Sequence, residues 1–151
     1  MFIRVLRWAI VVGVLIQLIP FGRQHTNPPV TQEPQWDSPA TRELARRACF
    51  NCHSNETTWP WYSSIAPVSW LAQRDVNGGR SHLNFSEWTK LQRHAGHVGE
   101  EIRGGNMPPW FYLPMHAEAK LTAAERAQLI AGFAKTPGFE DNGDDGPKLH
   151  H

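Results

Sequence analysis

An all-α fold is what this sequence predicts: one compact helical domain behind a single N-terminal transmembrane helix that acts as a signal anchor. Three observations predict it. Apolar residues recur at helical spacing behind capping residues, no stretch of useful length has a strand period, and an apolar run lies at the N-terminus between arginines. The 151 residues suffice for one domain and one core. Fifteen Lys and Arg against fourteen Asp and Glu give a net charge of +1, so the electrostatic footprint of a nucleic-acid binder is missing and no nucleic-acid partner is expected. Seven Trp and seven Phe exclude a disordered chain, because they supply the material of a packed core.

The first element is the apolar run from Trp8 to Phe21, interrupted only by Gln17 and extended backwards by Phe2, Ile3, Val5 and Leu6. Arg4 and Arg7 precede it, and no small-residue cleavage site follows it, since the chain passes into Pro20-Phe21-Gly22-Arg23. Residues 1–24 are therefore expected to remain as a single-pass anchor in the cytoplasmic membrane. Positive charge ahead of the run keeps the N-terminus inside and puts the rest of the chain in the periplasm. Residues 25–37, with Pro28, Pro29 and Pro34, are expected to form a stiff, extended spacer that holds the domain off the membrane.

The domain is expected over 38–138. Ser38 before Pro39 is a helix start, with Ser as N-cap and Pro where its missing N–H costs nothing. The helix that follows puts Leu44, Ala48 and Cys52 on one face, with Ala45 and Cys49 in a second row. Further on, Asn84 with Glu87 predicts a second capped start leading into one bent helix or two short ones, and Thr122 with Glu125 a third, ended at Thr136-Pro137-Gly138. The last helix should pack on the first. The tail from 139 to 151, acidic and glycine-rich, is expected to be disordered.

Cys49-Phe50-Asn51-Cys52-His53 is a C-x-x-C-H run, the pattern of c-type haem attachment. Two thiols one helical turn apart can each form a thioether to one vinyl group of a porphyrin, and the adjacent imidazole then reaches the iron as an axial ligand. A zinc site would want further ligands at metal spacing, and a redox dithiol would want a βαβ setting and no histidine. One covalently bound haem c is the expected cofactor. Opposite His53, Met107 is the expected sixth ligand: its loop is uncoupled from the preceding helix by Gly104-Gly105 and stiffened by Pro108-Pro109. Met115, His82, His94, His97 and His116 are the alternatives. Trp59, Trp61, Tyr62 and Trp70 are candidates to cover a haem edge. An indole N–H or the Arg80 guanidinium is the candidate donor to a propionate.

From Cys49 to Trp70, and again through Asp75-Val76, Gly79-Arg80, Leu83 to Trp88, Met107-Pro108-Pro109 and Leu113 to His116, the chain resembles the haem-binding domain family of bacterial monohaem c-type proteins. The order of its elements is similar to that of the class I cytochrome c fold. The resemblance covers roughly residues 40 to 135 and departs from the family pattern at His116-Ala117, where His-Pro is common. It implies a membrane-anchored or secreted haem protein. Filled axial positions favour an electron carrier, not an enzyme, working with a membrane-associated redox partner protein; an open or labile sixth site would instead make it a haem peroxidase or small-gas sensor.

Overall fold

The computed structural model describes residues 1–140. Six α-helices follow in chain order: α1 (Phe2–Leu15), α2 (Pro39–Ala48), α3 (Phe50–His53), α4 (Val68–His82), α5 (Val98–Arg103) and α6 (Ala123–Phe133), with short 3-10 turns between them. Among the described residues there is no strand, only one isolated bridge between Gln32 and Glu87. The all-α reading holds. No helix among the described residues is long and apolar enough to cross a membrane. α1 has fourteen residues, none of them buried, and a 3-10 turn over Ile16–Leu18 continues it.

Two predicted caps are present. The Ser38 hydroxyl accepts from the Thr41 N–H ahead of α2, with Pro39 in the first turn. Ahead of α6, the Thr122 side chain accepts from Glu125 N while the Glu125 carboxylate takes the Thr122 N–H, a complete capping box. These bonds, together with Arg47 at 2.6 Å, hold the Glu125 carboxyl down to about 2. The cap is therefore intact above the ordinary carboxylate range and is lost only as pH falls through about 2. As expected, α6 packs on α2. The approach is so close that a Cβ on Gly132 would overlap the Thr41 side chain, with Thr41 Cβ only 2.8 Å away.

Other expectations are corrected. No helix starts at Asn84: its carboxamide oxygen accepts from Ser86 N and its NH₂ donates to Asn55, so the side chain closes a local turn in place of a helix cap. The long middle helix is α4, which begins after Pro67 with no side-chain cap. The first helix breaks at Cys49 (φ −126°, ψ −34°), where the chain reorients and Phe50 enters the core.

Residues 25–37 are extended but do not stand free. Thr31 and Gln32 N–H groups donate to the Ser86 carbonyl, Asn55 donates to the Pro29 carbonyl, and the Glu33 carboxylate takes two bonds from Arg42 at 2.6 and 2.7 Å. That pairing and the Trp36 indole N–H hold the Glu33 carboxyl below the usual carboxylate range. Trp36 itself sits among Phe50, Phe85, Phe133 and Phe139 with ring centroids 5.4 to 6.3 Å apart. A spacer with one large aromatic at its end gains more by burying that ring than by staying solvated.

Phe139, placed at the start of the expected tail, is likewise buried, 4.6 Å from Phe133 and 4.7 Å from Trp88. Residues 141–151, the rest of the expected tail, lie outside the described residues. Phe139→Ala should therefore destabilise the domain by about 3 kcal/mol or more, as buried Phe truncations do. Urea unfolding followed by tryptophan fluorescence measures it, and a loss within a few tenths of a kcal/mol would show that the chain end contributes no packing.

Candidate functional site

The site is assembled on α3, the four-residue helix that carries all of the C-x-x-C-H run except Cys49, which caps it. Phe50 holds this helix in place: it stacks on Phe85 at 5.4 Å and lies in the central cluster with Leu44, Ala45 and Leu129. α4 crosses α3 at very close range. A Cβ on Gly79 would overlap the Cys52 carbonyl, whose carbon would lie 2.8 Å away, so only glycine permits this crossing.

Both cysteines are free thiols. Burial pushes the Cys49 thiol up to about 12 and the Cys52 thiol to about 11, so both remain protonated and uncharged at neutral pH. His53 follows on the same helix. Its Nδ1–H donates to the Leu83 carbonyl at 3.1 Å, and burial holds its imidazole below the ordinary histidine range, in the neutral form. The proton on Nδ1 leaves Nε2 with its lone pair, the tautomer that a metal-binding imidazole requires. Phe85 packs beside the ring at 6.3 Å, and the Phe85 N–H donates to the His53 carbonyl at 2.8 Å. The segment 83–85 thus fixes this residue at both ring and backbone.

Arg80 proves to be a clamp. Its guanidinium donates to the Ser54 carbonyl (2.7 Å), the Thr26 carbonyl, Asn27 Oδ1 and Thr57 Oγ1 (each 2.9 Å), joining α4, the loop after His53 and the extended N-terminal segment. Four of its five N–H groups are therefore taken by the chain. Trp59 belongs to the same junction, stacked on His25 at 4.6 Å with its indole N–H 3.3 Å from Asn27 Oδ1. Trp61 is 75 % exposed and meets Tyr62 edge-on. The Trp70 indole N–H is buried with no hydrogen-bond partner among the described residues.

Met107 lies in the loop after α5, 36 % exposed, with its N–H and that of Asn106 both donating to the Glu101 carbonyl. Gly105 takes φ +77°, the left-handed turn that lets the loop leave the helix. Met115 is 62 % exposed. The histidine alternatives are differently engaged. His82 and His94 meet edge-on at 4.8 Å, while His116 uses both ring nitrogens, Nε2 with the Tyr62 hydroxyl at 2.6 Å and Nδ1 with Glu118 at 3.0 Å.

Sequence reasoning did not anticipate a link from this last group to the cysteine segment. The His116 ring stacks on Tyr112 at 3.8 Å, and the Tyr112 hydroxyl accepts from the Asn51 side chain at 2.7 Å. Asn51 is the second intervening residue of the C-x-x-C-H run. A cleft opens there between Arg46, Asn51, Pro60, His116 and Glu118. No spacing rule connects positions 51, 62, 112 and 116, so nothing in the sequence could have revealed the cluster.

The donor set suits a haem. Two uncharged, half-buried thiols, Cys49 at the cap of α3 and Cys52 within it, and a neutral imidazole whose Nδ1 holds the proton are what thioether attachment and axial ligation need. A cluster of three or more His, Cys, Asp or Glu side chains able to hold a bare metal ion is absent among the described residues. Neither the curated proteins nor the solved structures give a match to this chain. The haem-binding domain family matches residues 11–135, which spans α2 to α6 and every site residue described above. By that match, covering well over half of its length, the chain belongs to the haem-binding domain family.

Proposed function

We propose that this protein is a membrane-anchored c-type cytochrome with a class I-like helical domain, one haem c attached through Cys49 and Cys52, and axial ligands His53 and Met107. In this reading it carries electrons on the periplasmic face of the cytoplasmic membrane, to or from a membrane-associated redox partner protein. The observation that carries it is the Nδ1–H bond from His53 to Leu83 beside two half-buried, protonated thiols. Bound haem would supply a one-electron couple. The chain supplies the rest. Cys49 and Cys52 would hold the group as thioethers, each thiol contributing its sulfur and its hydrogen to one vinyl group, so that no oxidant would be consumed. Leu83 holds the His53 ring in the ligating tautomer, and the apolar packing around Phe50 and Phe85 keeps water from that side.

Acid–acetone extraction tests the attachment. Colour should stay on protein matured in a host with c-type assembly machinery, whereas free extraction of the haem would exclude thioethers. Ferric and ferrous spectra with and without carbon monoxide test the rest. A filled sixth site should leave the ferrous spectrum unchanged by the gas.

A second reading, a haem peroxidase or small-gas sensor, has one observation in its favour. Tyr62, His116 and Glu118 form a hydrogen-bonded relay, tied through Tyr112 to the haem-attachment segment, that could move a proton near a vacant site. Carbon monoxide binding to the unmodified ferrous protein would favour it.

A further inference from the structure

We infer that the haem domain is not held off the bilayer but seated in its interfacial layer, through an apolar face formed by Leu18, Ile19, Phe21, Ile65 and Val68. This rests on reading the N-terminal segment as a membrane anchor.

The junction between that segment and the domain is built, not loose. The Gln17 carboxamide makes two reciprocal bonds to Ala66, donating to its carbonyl at 2.9 Å and accepting its N–H at 3.0 Å. The Arg23 guanidinium in turn donates to Gln17 Oε1 at 2.9 Å. Gly22, at φ +77°, lies so close to the Ser69 carbonyl that a Cβ there would overlap it. Ser69 and His25 add further links, to the Phe21 carbonyl and to Ser63. The one polar residue of the apolar run is thus the residue that bolts the run to the domain.

Next to the bonded Ala66 and Ser69, Ile65 (46 % exposed) and Val68 (40 % exposed) stay uncovered, as do Leu18, Ile19 and Phe21 on the segment bonded to them. The face continues directly from α1, whose apolar residues are exposed all round. Length points to what covers it. The fourteen residues of α1 and the three of the 3-10 turn reach about 27 Å, against a hydrocarbon core of about 30 Å. Arg4 and Arg7 shorten the apolar part further. An undersized span draws its flanks towards the bilayer, and here the flank is a rigid domain carrying its own apolar residues. The occupant is accordingly the headgroup and upper acyl layer of the same membrane.

The test uses the full-length holoprotein and phospholipid vesicles doped with a lipid bearing a diazirine on its acyl chain. After illumination, adducts are mapped by mass spectrometry. We expect adducts within residues 1–21 and also at Ile65 and Val68, with none in α6. Gln17→Leu, which keeps the run apolar but removes the bonds to Ala66, should retain vesicle binding and lower the adduct yield at Ile65 and Val68 severalfold. Adducts confined to residues 1–21 in the unmodified protein would overturn the seating while leaving the anchor intact. Failure to co-sediment with vesicles at all would overturn the anchor and, with it, the seating.

Discussion

Gly79→Ala should disable haem attachment, while Gly78→Ala, one residue earlier on the same helix, should be tolerated or slightly stabilising. The contrast follows from what a methyl group would meet. At Gly79 it would overlap the Cys52 carbonyl, and a backbone group between Cys52 and His53 has nowhere to move unless α3 and α4 separate. Overpacking of this kind costs about 1 to 3 kcal/mol, and more where the obstacle is backbone. It also displaces both sulfur atoms and the His53 ring from the positions that a single porphyrin needs. At Gly78 nothing lies within 4 Å of the added carbon, so the substitution only replaces a poor helix former with a good one, a gain of about 0.5 to 1 kcal/mol. Haem staining after denaturing electrophoresis measures covalent loading, and urea unfolding measures stability. Loading of the Gly79 variant at the level of the Gly78 variant would mean that α4 does not press on the cysteine segment as described.

That glycine marks the boundary of what the sequence could convey. Local signals were legible where one segment contains the whole cause. Ser38-Pro39 and Thr122 with Glu125 start helices because capping partners lie three residues away, and the resemblance to a haem-binding family rested on short runs such as Cys49 to His53. Asn84 misled because a side chain able to cap a helix can equally close a turn, and the choice is made by Asn55 and Ser86 through the folded chain. α4 lacked any cap to announce it, and its glycine pair weakens the helical signal. Gly79 is there for a tertiary reason, because a neighbouring backbone needs the space. Trp36 and Phe139 flank the domain in segments whose composition reads as linker and tail, yet they close its aromatic core from both ends. Composition averages over a window, and the burial of a single large ring can outweigh that average. Arg80 was matched to a propionate by its chemistry. That its guanidinium also meets the carbonyls of Thr26 and Ser54 is decided by the path of residues 26–57, which the arginine alone does not announce.

Met107→Ala should abolish the long-wavelength sulfur-to-iron charge-transfer band, open the ferrous protein to carbon monoxide, and lower the reduction potential, whereas Met115→Ala should do none of these. The expected potential change is a sizeable part of the about 0.8 V over which axial ligands tune haem, because a thioether favours the ferrous state and its replacement does not. In the proposed reading the loop around Met107 has to hold its side chain in place. It is tied to the end of α5 by two N–H bonds to the Glu101 carbonyl, turns at Gly105, and is stiffened by Pro108 and Pro109. Among the histidine competitors, His116 has both ring nitrogens bonded to other side chains, so ligating through either would first require a bond to Tyr62 or Glu118 to break. Spectra of the two methionine variants, recorded in both oxidation states, decide the matter. An unchanged Met107 variant, or the same losses on replacing Met115, His82, His94, His97 or His116, would move the ligand elsewhere. It would then make the Tyr62–His116–Glu118 relay beside Asn51 the first place to look for catalysis.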